Sequence, residues 1–367
     1  MAKTYGVGLV GYGGIGRMHA LCFQMLPVAY PDLAASARIV AVATRSAASA
    51  ERARRELGDM FVTTDYRELI ARPDVTLVDC CTPTDDHVGV AEAALDAGKP
   101  LFCEKPLSAS AGDSARIVKQ AQAAGVPGGM NFHFRQIPAL QEAQRLITNG
   151  LFGELTSFHM RYYRASNLKA DRPLTWRFAG PGSGVLVDLG SHLIDLTLHL
   201  LGSVSTVAAR TRTVIPERPG PDGQPQQVPS DDVAWLELGL ANGARGTLEA
   251  SKVVPGAGDD LRVEAYGTRG TLIFDSRDPN HLYVADERGG RQIATWSRTT
   301  PAASLPGGEM SSGWIQWHAA SIAAFLDALG RGTTPQPGLY EGLQVDRVID
   351  AAFASARQDG GRVEVSG

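Results

Sequence analysis

The stretch "VGLVGYGGIGRMHA", residues 7–20, decides the reading of the fold. Residues 7–10 form an apolar run of strand length, and a helical pattern begins at Ile15. Between them, Gly11, Gly13 and Gly16 fall in G-x-G-x-x-G spacing. That spacing alone is common, but a strand before it and a helix after it are what a dinucleotide-binding turn requires. Gly11 permits the tight turn, Gly13 lets the backbone approach a pyrophosphate, and Gly16 lets the helix pack closely on the strand. Gly14 and Ile15 open that helix, whose N-terminal N–H groups favour an anion.

Outward from this turn, the first 130 residues alternate short apolar runs with helical patterns. Strands are expected at 7–10, 39–43, 61–63, 76–81, 101–103 and 126–130, and helices near 15–25, 46–57, 66–71, 87–97 and 109–124. This β-α-β-α rhythm implies a mainly parallel sheet covered on both faces, a Rossmann-type domain over residues 1–130. After residue 130 the rhythm changes. Helices near 139–148 and 188–201 stand among longer strand patterns at 154–164, 204–215, 233–240, 244–253, 262–266 and 271–275. Short turns such as "LANGAR" (240–245) and "YGTRGT" (266–271) join several of them. Residues 131–367 therefore read as an α+β domain with an open, mostly antiparallel sheet, and the chain as α/β in class. Two stretches rich in Pro and Gly, "PERPGPDGQPQQVPS" (216–230) and "PAASLPGGEMSSG" (301–313), read as long loops. Final helices are expected near 314–329 and 339–356.

A formal charge of −4 and the lack of a long basic run remove any electrostatic argument for nucleic acid or an anionic membrane as partner. No stretch approaches the roughly 20 apolar residues of a bilayer span, and the first residues lack a signal-peptide pattern. Cys22, Cys80, Cys81 and Cys103 show no C-x-x-C spacing and read as buried reduced thiols. The expectation is a cytoplasmic chain.

The ends of the later strands bear on the cofactor. "IVAVATRS" (39–46) ends in Thr44, Arg45 and Ser46, where NAD-binding domains place an acid for the ribose hydroxyls. Asp32 has about the right spacing but precedes the strand. An arginine in place of the acid suits the 2′-phosphate of NADP. The alternative is NAD, with Arg45 a solvated residue at a helix start. Thr82, Pro83, Thr84 and His87 of "CCTPTDDH" (80–87) lie beyond the carboxyl end of the fourth strand, where ligands of open α/β sheets bind. His87 reads equally well as a helix cap. "LFCEKPLS" (101–108) then sets Glu104 and Lys105 where a nicotinamide is expected, with Pro106 fixing the chain path.

In the second domain, "VDLGSHLID" (187–195) continues into "LTLHLLG". Asp188, His192, Asp195 and His199 recur at i, i+4, i+7 and i+11, which on a helix makes one polar stripe in an apolar segment. Three chemistries fit such a stripe: a metal site, a buried hydrogen-bonded network, or an acid–base pair.

Taken in order, the glycine-rich start, Glu104-Lys105-Pro106 and "GSGVLVDLGSHLID" (182–195) resemble the Gfo/Idh/MocA oxidoreductase family. The resemblance spans nearly the whole chain, including "YEGLQVDRVIDAAFASARQDGGRVEV" (340–365), similar to the family's closing helix and strand. The stretch "LTWRFAGPGSGVLVDLGSHLID" (174–195) looks most like pyranose dehydrogenases of the levoglucosan and inositol type. The resemblance implies NAD(P)-dependent hydride transfer to or from a secondary alcohol of a sugar or cyclitol. It places the family's lysine at Lys105 and its acid–histidine pair at Asp188 and His192. His192 then moves the hydroxyl proton, Asp188 orients it and binds a neighbouring hydroxyl, and Lys105 polarises the oxygen. No metal is implied, and Asp195 and His199 are left to the core network. Asn131 and His133 of "MNFHFR" (130–135), with Tyr163, Trp176 and Arg177, are expected to line the pocket for a polyhydroxylated ring. Trp176 reads alternatively as loop packing. A homodimer or homotetramer through residues 150–300 is expected. The rival functions on this fold are an NAD-dependent glycosidase, redox-neutral overall, and a non-catalytic sugar-sensing regulator.

Overall fold

The computed structural model describes residues 3–180, 182–295 and 313–366, so the expected loop at 301–313 lies, up to its last residue, outside the described residues. Among the described residues the chain divides into two compact units, residues 3–136 with 313–343 and residues 137–295 with 344–366.

The first unit begins with a parallel sheet of β1 (Lys3–Val10), β2 (Ala35–Ala43), β3 (Phe61–Thr63), β4 (Leu77–Cys80), β5 (Leu101–Cys103) and β6 (Gly128–Met130), in the order β3-β2-β1-β4-β5-β6. Between the strands run α1 (Gly14–Ala29), α2 (Ala47–Leu57), α3 (Tyr66–Ala71), α4 (His87–Asp96) and α5 (Ala111–Ala124). Every residue of β4 and β5 is buried, as expected of parallel strands covered on both faces. The strand order reverses between β1 and β4, which makes the loops after them the place for a ligand. A Cβ on Gly16 would lie 1.9 Å from the carbonyl oxygen of Gly11, so the first turn of α1 packs directly on the turn that precedes it. Gly11 itself has φ +97°, which an L side chain rarely adopts.

The second unit opens with α6 (Pro138–Thr148) and β7 (Leu155–Tyr163). A π-helical turn over Leu186–Gly190 then leads into α7 (Ser191–Leu200). After β8 (Val204–Arg212), the stretch expected as a plain loop forms a hairpin of β9 (Glu217–Pro219) and β10 (Pro225–Gln227). The remaining strands are β11 (Val233–Leu240), β12 (Arg245–Ser251), β13 (Asp260–Gly267), β14 (Thr271–Asp275), β15 (His281–Asp286) and β16 (Gly289–Ala294). Two helices and a short strand follow: α8 (Trp314–Arg331), α9 (Leu339–Ala356) and β17 (Val363–Glu364). The large sheet runs β16-β15-β14-β13-β7-β12-β11-β8-β17, and every pairing in it is antiparallel except that of β7 with β12. β7 alternates regularly toward its end, with Phe158, Met160 and Tyr162 buried.

The division of the chain is not a single cut at residue 130. The first unit keeps residues 131–136, and α8 belongs to it by sequestering apolar surface. Ala319, Ile322, Ala323, Phe325 and Leu326 of α8 are buried with Phe23 and Leu26 of α1 and Phe102 of β5. α1 thus has two apolar partners, the sheet and a helix about 300 residues away in sequence.

Candidate active site

At the nucleotide end, β1 stops at Val10 and α1 starts at Gly14. Gly13 caps the helix without a side-chain acceptor, and the first turn holds no acidic residue. A Cβ on Gly13 or Gly14 would meet nothing within 4 Å. Bare N–H groups facing open space at a helix N-terminus fit a pyrophosphate. Ile15 packs against the cluster of Leu9, Tyr12 and Val42 and so braces the turn. At the end of β2, Thr44 is buried with its N–H on the Thr63 carbonyl at 3.0 Å, while Arg45 is exposed. Ser46 caps α2 by accepting from Ser49 N at 3.2 Å. Residues 44–46 thus present a guanidinium and hydroxyls where an acid was sought.

Thr82 and Pro83 are partly exposed beyond β4, and Thr84 is buried at the start of a short 3₁₀ turn. His87 does not line that edge. It is buried, with Nδ1 2.9 Å from the carbonyl oxygen of Pro106 and Nε2 3.0 Å from that of Thr82. It ties the loop after β4 to the loop after β5, and this replaces its expected contact with the cofactor. Glu104 is buried and Lys105 partly buried. Asn131, expected at the substrate, is fully buried and donates to Glu104 Oε1 at 2.6 Å. His133 is also buried, its ring stacked on His318 at 3.9 Å. Both belong to the support behind Glu104 rather than to a pocket wall.

In the second unit the segment that carries the polar stripe is not one regular helix. Asp188 sits in the π turn and His192 in the first turn of α7, so the wider turn re-aims Asp188 relative to the helix that follows. The turn is held from outside: Leu186 N–H donates to Asp231 Oδ2 at 2.9 Å, and Val185 N–H to the Asp231 carbonyl at 3.0 Å. Lys252, buried just past β12, donates to Asp188 Oδ2, and Arg177 stands 3.7 Å from the same oxygen. Lys252 was not anticipated. The signal available in sequence was a lone lysine after an apolar strand, "LEASKVV", which strand-end residues of solvated loops also show.

His192 is buried, and the aromatic ring beside it is Tyr162, edge-on at 6.1 Å. Tyr163 therefore points to the opposite face of the sheet, where its hydroxyl donates to Glu249 Oε2 at 2.8 Å. Tyr163, expected at the substrate, is thus one residue out of phase with the face that carries His192, and Tyr162 on that face is buried with its hydroxyl on Asp259. Trp176 remains 37% exposed with the Arg177 guanidinium over its ring at 4.4 Å. Their loop is pinned by the unexpected hairpin. Arg218 is buried and donates to the carbonyls of Lys169 at 2.6 Å and Asn167 at 2.8 Å, with Phe178 beneath its guanidinium. Leu174 N–H adds a bond to the Pro219 carbonyl at 2.7 Å. Further along α7, Asp195 is buried and His199 Nδ1 lies 3.5 Å from Gln144 Nε2 of α6.

The profile described as "Oxidoreductase family, NAD-binding Rossmann fold" matches residues 5–132, and that described as "Oxidoreductase family, C-terminal alpha/beta domain" matches residues 144–365. The chain belongs to the Gfo/Idh/MocA family and is an oxidoreductase. Among its relatives, levoglucosan dehydrogenase of Pseudarthrobacter phenanthrenivorans is 31% identical over 97% of each chain. Inositol 2-dehydrogenase of Rhizobium meliloti is 26% identical over 97% of this chain and 98% of its own. Among solved structures, levoglucosan dehydrogenase in complex with NADH and levoglucosan aligns over 100% of both chains at 30% identity with a TM-score of 0.94. The parallel Rossmann sheet and the mostly antiparallel second sheet agree with the sequence reading. No helix among the described residues is long and apolar enough to cross a membrane.

Asp231 gives the support of Asp188 a pH dependence. Burial pushes its carboxyl up from the usual 3.8 to about 6, against the Leu186 hydrogen bond and the charge of Lys252. The folded chain thus binds this proton more tightly than the unfolded chain, so the contribution is complete below about pH 4 and is lost as pH rises through 6. The interval corresponds to roughly 3 kcal/mol. Asp231→Asn keeps an acceptor for Leu186 and carries no charge. Its melting temperature is expected to match the parent's near pH 3.5 and to exceed it by several degrees at pH 8; equal melting temperatures at both pH values would contradict this account.

Proposed function

We propose that the chain transfers a hydride between a nicotinamide cofactor, NADP in preference to NAD, and a secondary alcohol of a sugar or cyclitol. The observation that carries the reading is the Asp188–His192 pair, an ionisable pair on successive turns of a buried segment, with two cations holding the carboxylate. The glycine turn of residues 11–16 and the loops beyond β4 and β5 would hold the dinucleotide, whose nicotinamide would exchange the hydride. His192 takes the hydroxyl proton, a step its ring suits near neutral pH. Asp188, fixed by Lys252 and Arg177, orients the imidazole and accepts from a neighbouring hydroxyl. Lys105 stabilises the negative charge that develops on the reacting oxygen. Trp176 and Arg177 offer an aromatic face and a donor to a polyhydroxylated ring.

The relatives named for levoglucosan and inositol support this substrate class. A panel of anhydrosugars, pyranoses and cyclitols, followed by absorbance of the reduced cofactor, tests it. Net cofactor turnover is expected. Release of sugar without such turnover would mean a glycosidase, and binding without either would mean a regulator. His192→Ala and Lys105→Met are each expected to lower kcat by about 10²–10⁴-fold with cofactor affinity nearly intact. A folded His192→Ala protein with parental turnover would remove the acid–base assignment.

Support for NADP comes from exposed Arg45 at the end of β2. Relatives of both habits exist, named as NAD(+)- and NADP(+)-dependent scyllo-inositol 2-dehydrogenases of Bacillus subtilis. Arg45→Ala is expected to weaken NADP binding by about tenfold, a charge-assisted contact of roughly 1.5–3 kcal/mol, and to spare NAD. Equal weakening of both, or a parental preference for NAD, would refute the assignment.

We also propose a cytoplasmic homodimer or homotetramer packed through the outer face of the large sheet, which carries exposed Trp235 and, one strand in from the edge, Tyr283. Light scattering at micromolar concentration is expected to report two or four copies; a monomer there would overturn the proposal.

A further inference from the structure

We propose that His19 is the positioning residue of the first unit: its imidazolium, clamped between two buried carboxylates, fixes the peptide that carries Lys105. The proposal rests on the reading of Lys105 as the group that acts on the substrate oxygen. His19 lies on α1, one turn beyond Gly16, and is fully buried. Its Nδ1 is 2.9 and 3.1 Å from the two oxygens of Asp79, and its Nε2 is 3.0 Å from Glu104 Oε1. A neutral imidazole has one N–H and one lone pair, and a lone pair against a carboxylate oxygen is repulsive. Only the protonated ring donates on both sides. Two carboxylates this deep also require a cation, since an unpaired buried charge is strongly destabilising.

Asn131 Nδ2 lies 3.0 Å from the same Nε2, and with its two hydrogens given to Glu104 and His318 it leaves the Nε2–H directed at Glu104. Cys81 Sγ lies 3.1 Å from Nδ1, and the rings of Phe102 and His318 stand 5.9 and 5.7 Å away. Burial opposes protonation of His19, but the charge and hydrogen bonds of Asp79, with Cys81, raise it well above the ordinary histidine value. Burial likewise works against ionised Glu104, yet the hydrogen bond and charge of His19, with the charge of Lys105, hold its carboxyl at about 2. His318 is pushed well below the ordinary value by burial and by neighbouring His133, so its Nδ1 is free to accept from Asn131 Nδ2 at 2.8 Å. Asn131 thus gives one amide hydrogen to Glu104 and the other to a neutral histidine.

The link to Lys105 runs through its backbone N–H. Glu104 turns Oε1 toward His19 and Asn131, and its Oε2 accepts the backbone N–H of Lys105 at 3.2 Å. The carboxylate is therefore held on one side by a fixed cation and grips the lysine peptide with the other. Asp79 anchors the cation to β4, and Glu104 extends from β5, so adjacent strands set the lysine's place through one ring. The donors of this cluster stand close enough to share a metal ion, but each ring nitrogen of His19 is already committed to a carboxylate.

A core ion pair that served only stability would change the melting temperature and leave the chemistry of the folded protein alone. The test is a double-mutant cycle of His19→Gln and Lys105→Met, read as kcat, sugar KM and cofactor Kd. His19→Gln is expected to lower kcat by about 10–100-fold while KM and Kd move less than about threefold. In the Lys105→Met background its further effect on kcat is expected to vanish, because the residue it positions is gone. Parental kcat in folded His19→Gln, or fully multiplicative losses, would overturn the proposal. Parental kcat in Lys105→Met would instead sink the underlying reading of Lys105. Should His19→Gln not fold, nitrogen-15 spectra of the histidine-labelled parent decide: one ring perturbed by Asp79→Asn is expected to carry hydrogens on both nitrogens at pH 8, and a single tautomer there would overturn the proposal.

Discussion

In a strand–turn–helix unit that binds a dinucleotide, the first turn of the helix sits directly on the end of the strand before it, so that its bare N–H groups face the pyrophosphate. The contact of Gly16 with the Gly11 carbonyl meets that constraint, and much of the first unit follows from it. It sets the direction of α1, and hence which residue of α1 descends into the core one turn later. That residue is His19. The same close approach leaves the far side of α1 uncovered by the sheet, and α8 buries it.

Both units handle charge in the same manner. In each a carboxylate is paired with a buried basic side chain, Glu104 with His19 and Asp188 with Lys252. Backbone N–H groups are then recruited to the carboxylate network, those of Lys105 and Leu186. Buried charge left unpaired would be costly, so such pairs reduce the freedom of the groups they hold as well as neutralising them. What stability they contribute is secondary to the geometry they impose.

The first unit was legible because strand burial on both faces writes continuous apolar runs, and the glycine turn names its own neighbours. Six strands and five helices stand within a few residues of where the pattern put them. The site was legible in its residue types and less so in its geometry. Tyr163 was chosen where Tyr162 faces His192, since both are tyrosines and a strand's phase depends on tertiary burial. The π turn at Leu186–Gly190 was invisible because an apolar helical pattern does not reveal one extra residue held from outside by Asp231. Asn131, His133 and His87 were read as lining a cleft, though a polar residue after a strand is equally suited to bonding the next loop. The return of α8 could not be read locally, because its apolar stripe says only that something covers it.

The one parallel pairing of the large sheet has a consequence for how the chain acquires its shape. β7 and β12 lie side by side, yet residues 164–244 separate them, and that excursion contains Arg177, Asp188, His192 and the Arg218 hairpin. β7 also takes its other neighbour, β13, from still later in the chain. A strand made early in synthesis must therefore wait, with both edges open, until the whole excursion has been produced and folded back. Such high contact order slows folding and exposes unpaired edges to association. The part of the excursion before β8, residues 164–203, carries no strand of the sheet among the described residues, so its contents can diverge over evolution while β8 and β11 keep their places.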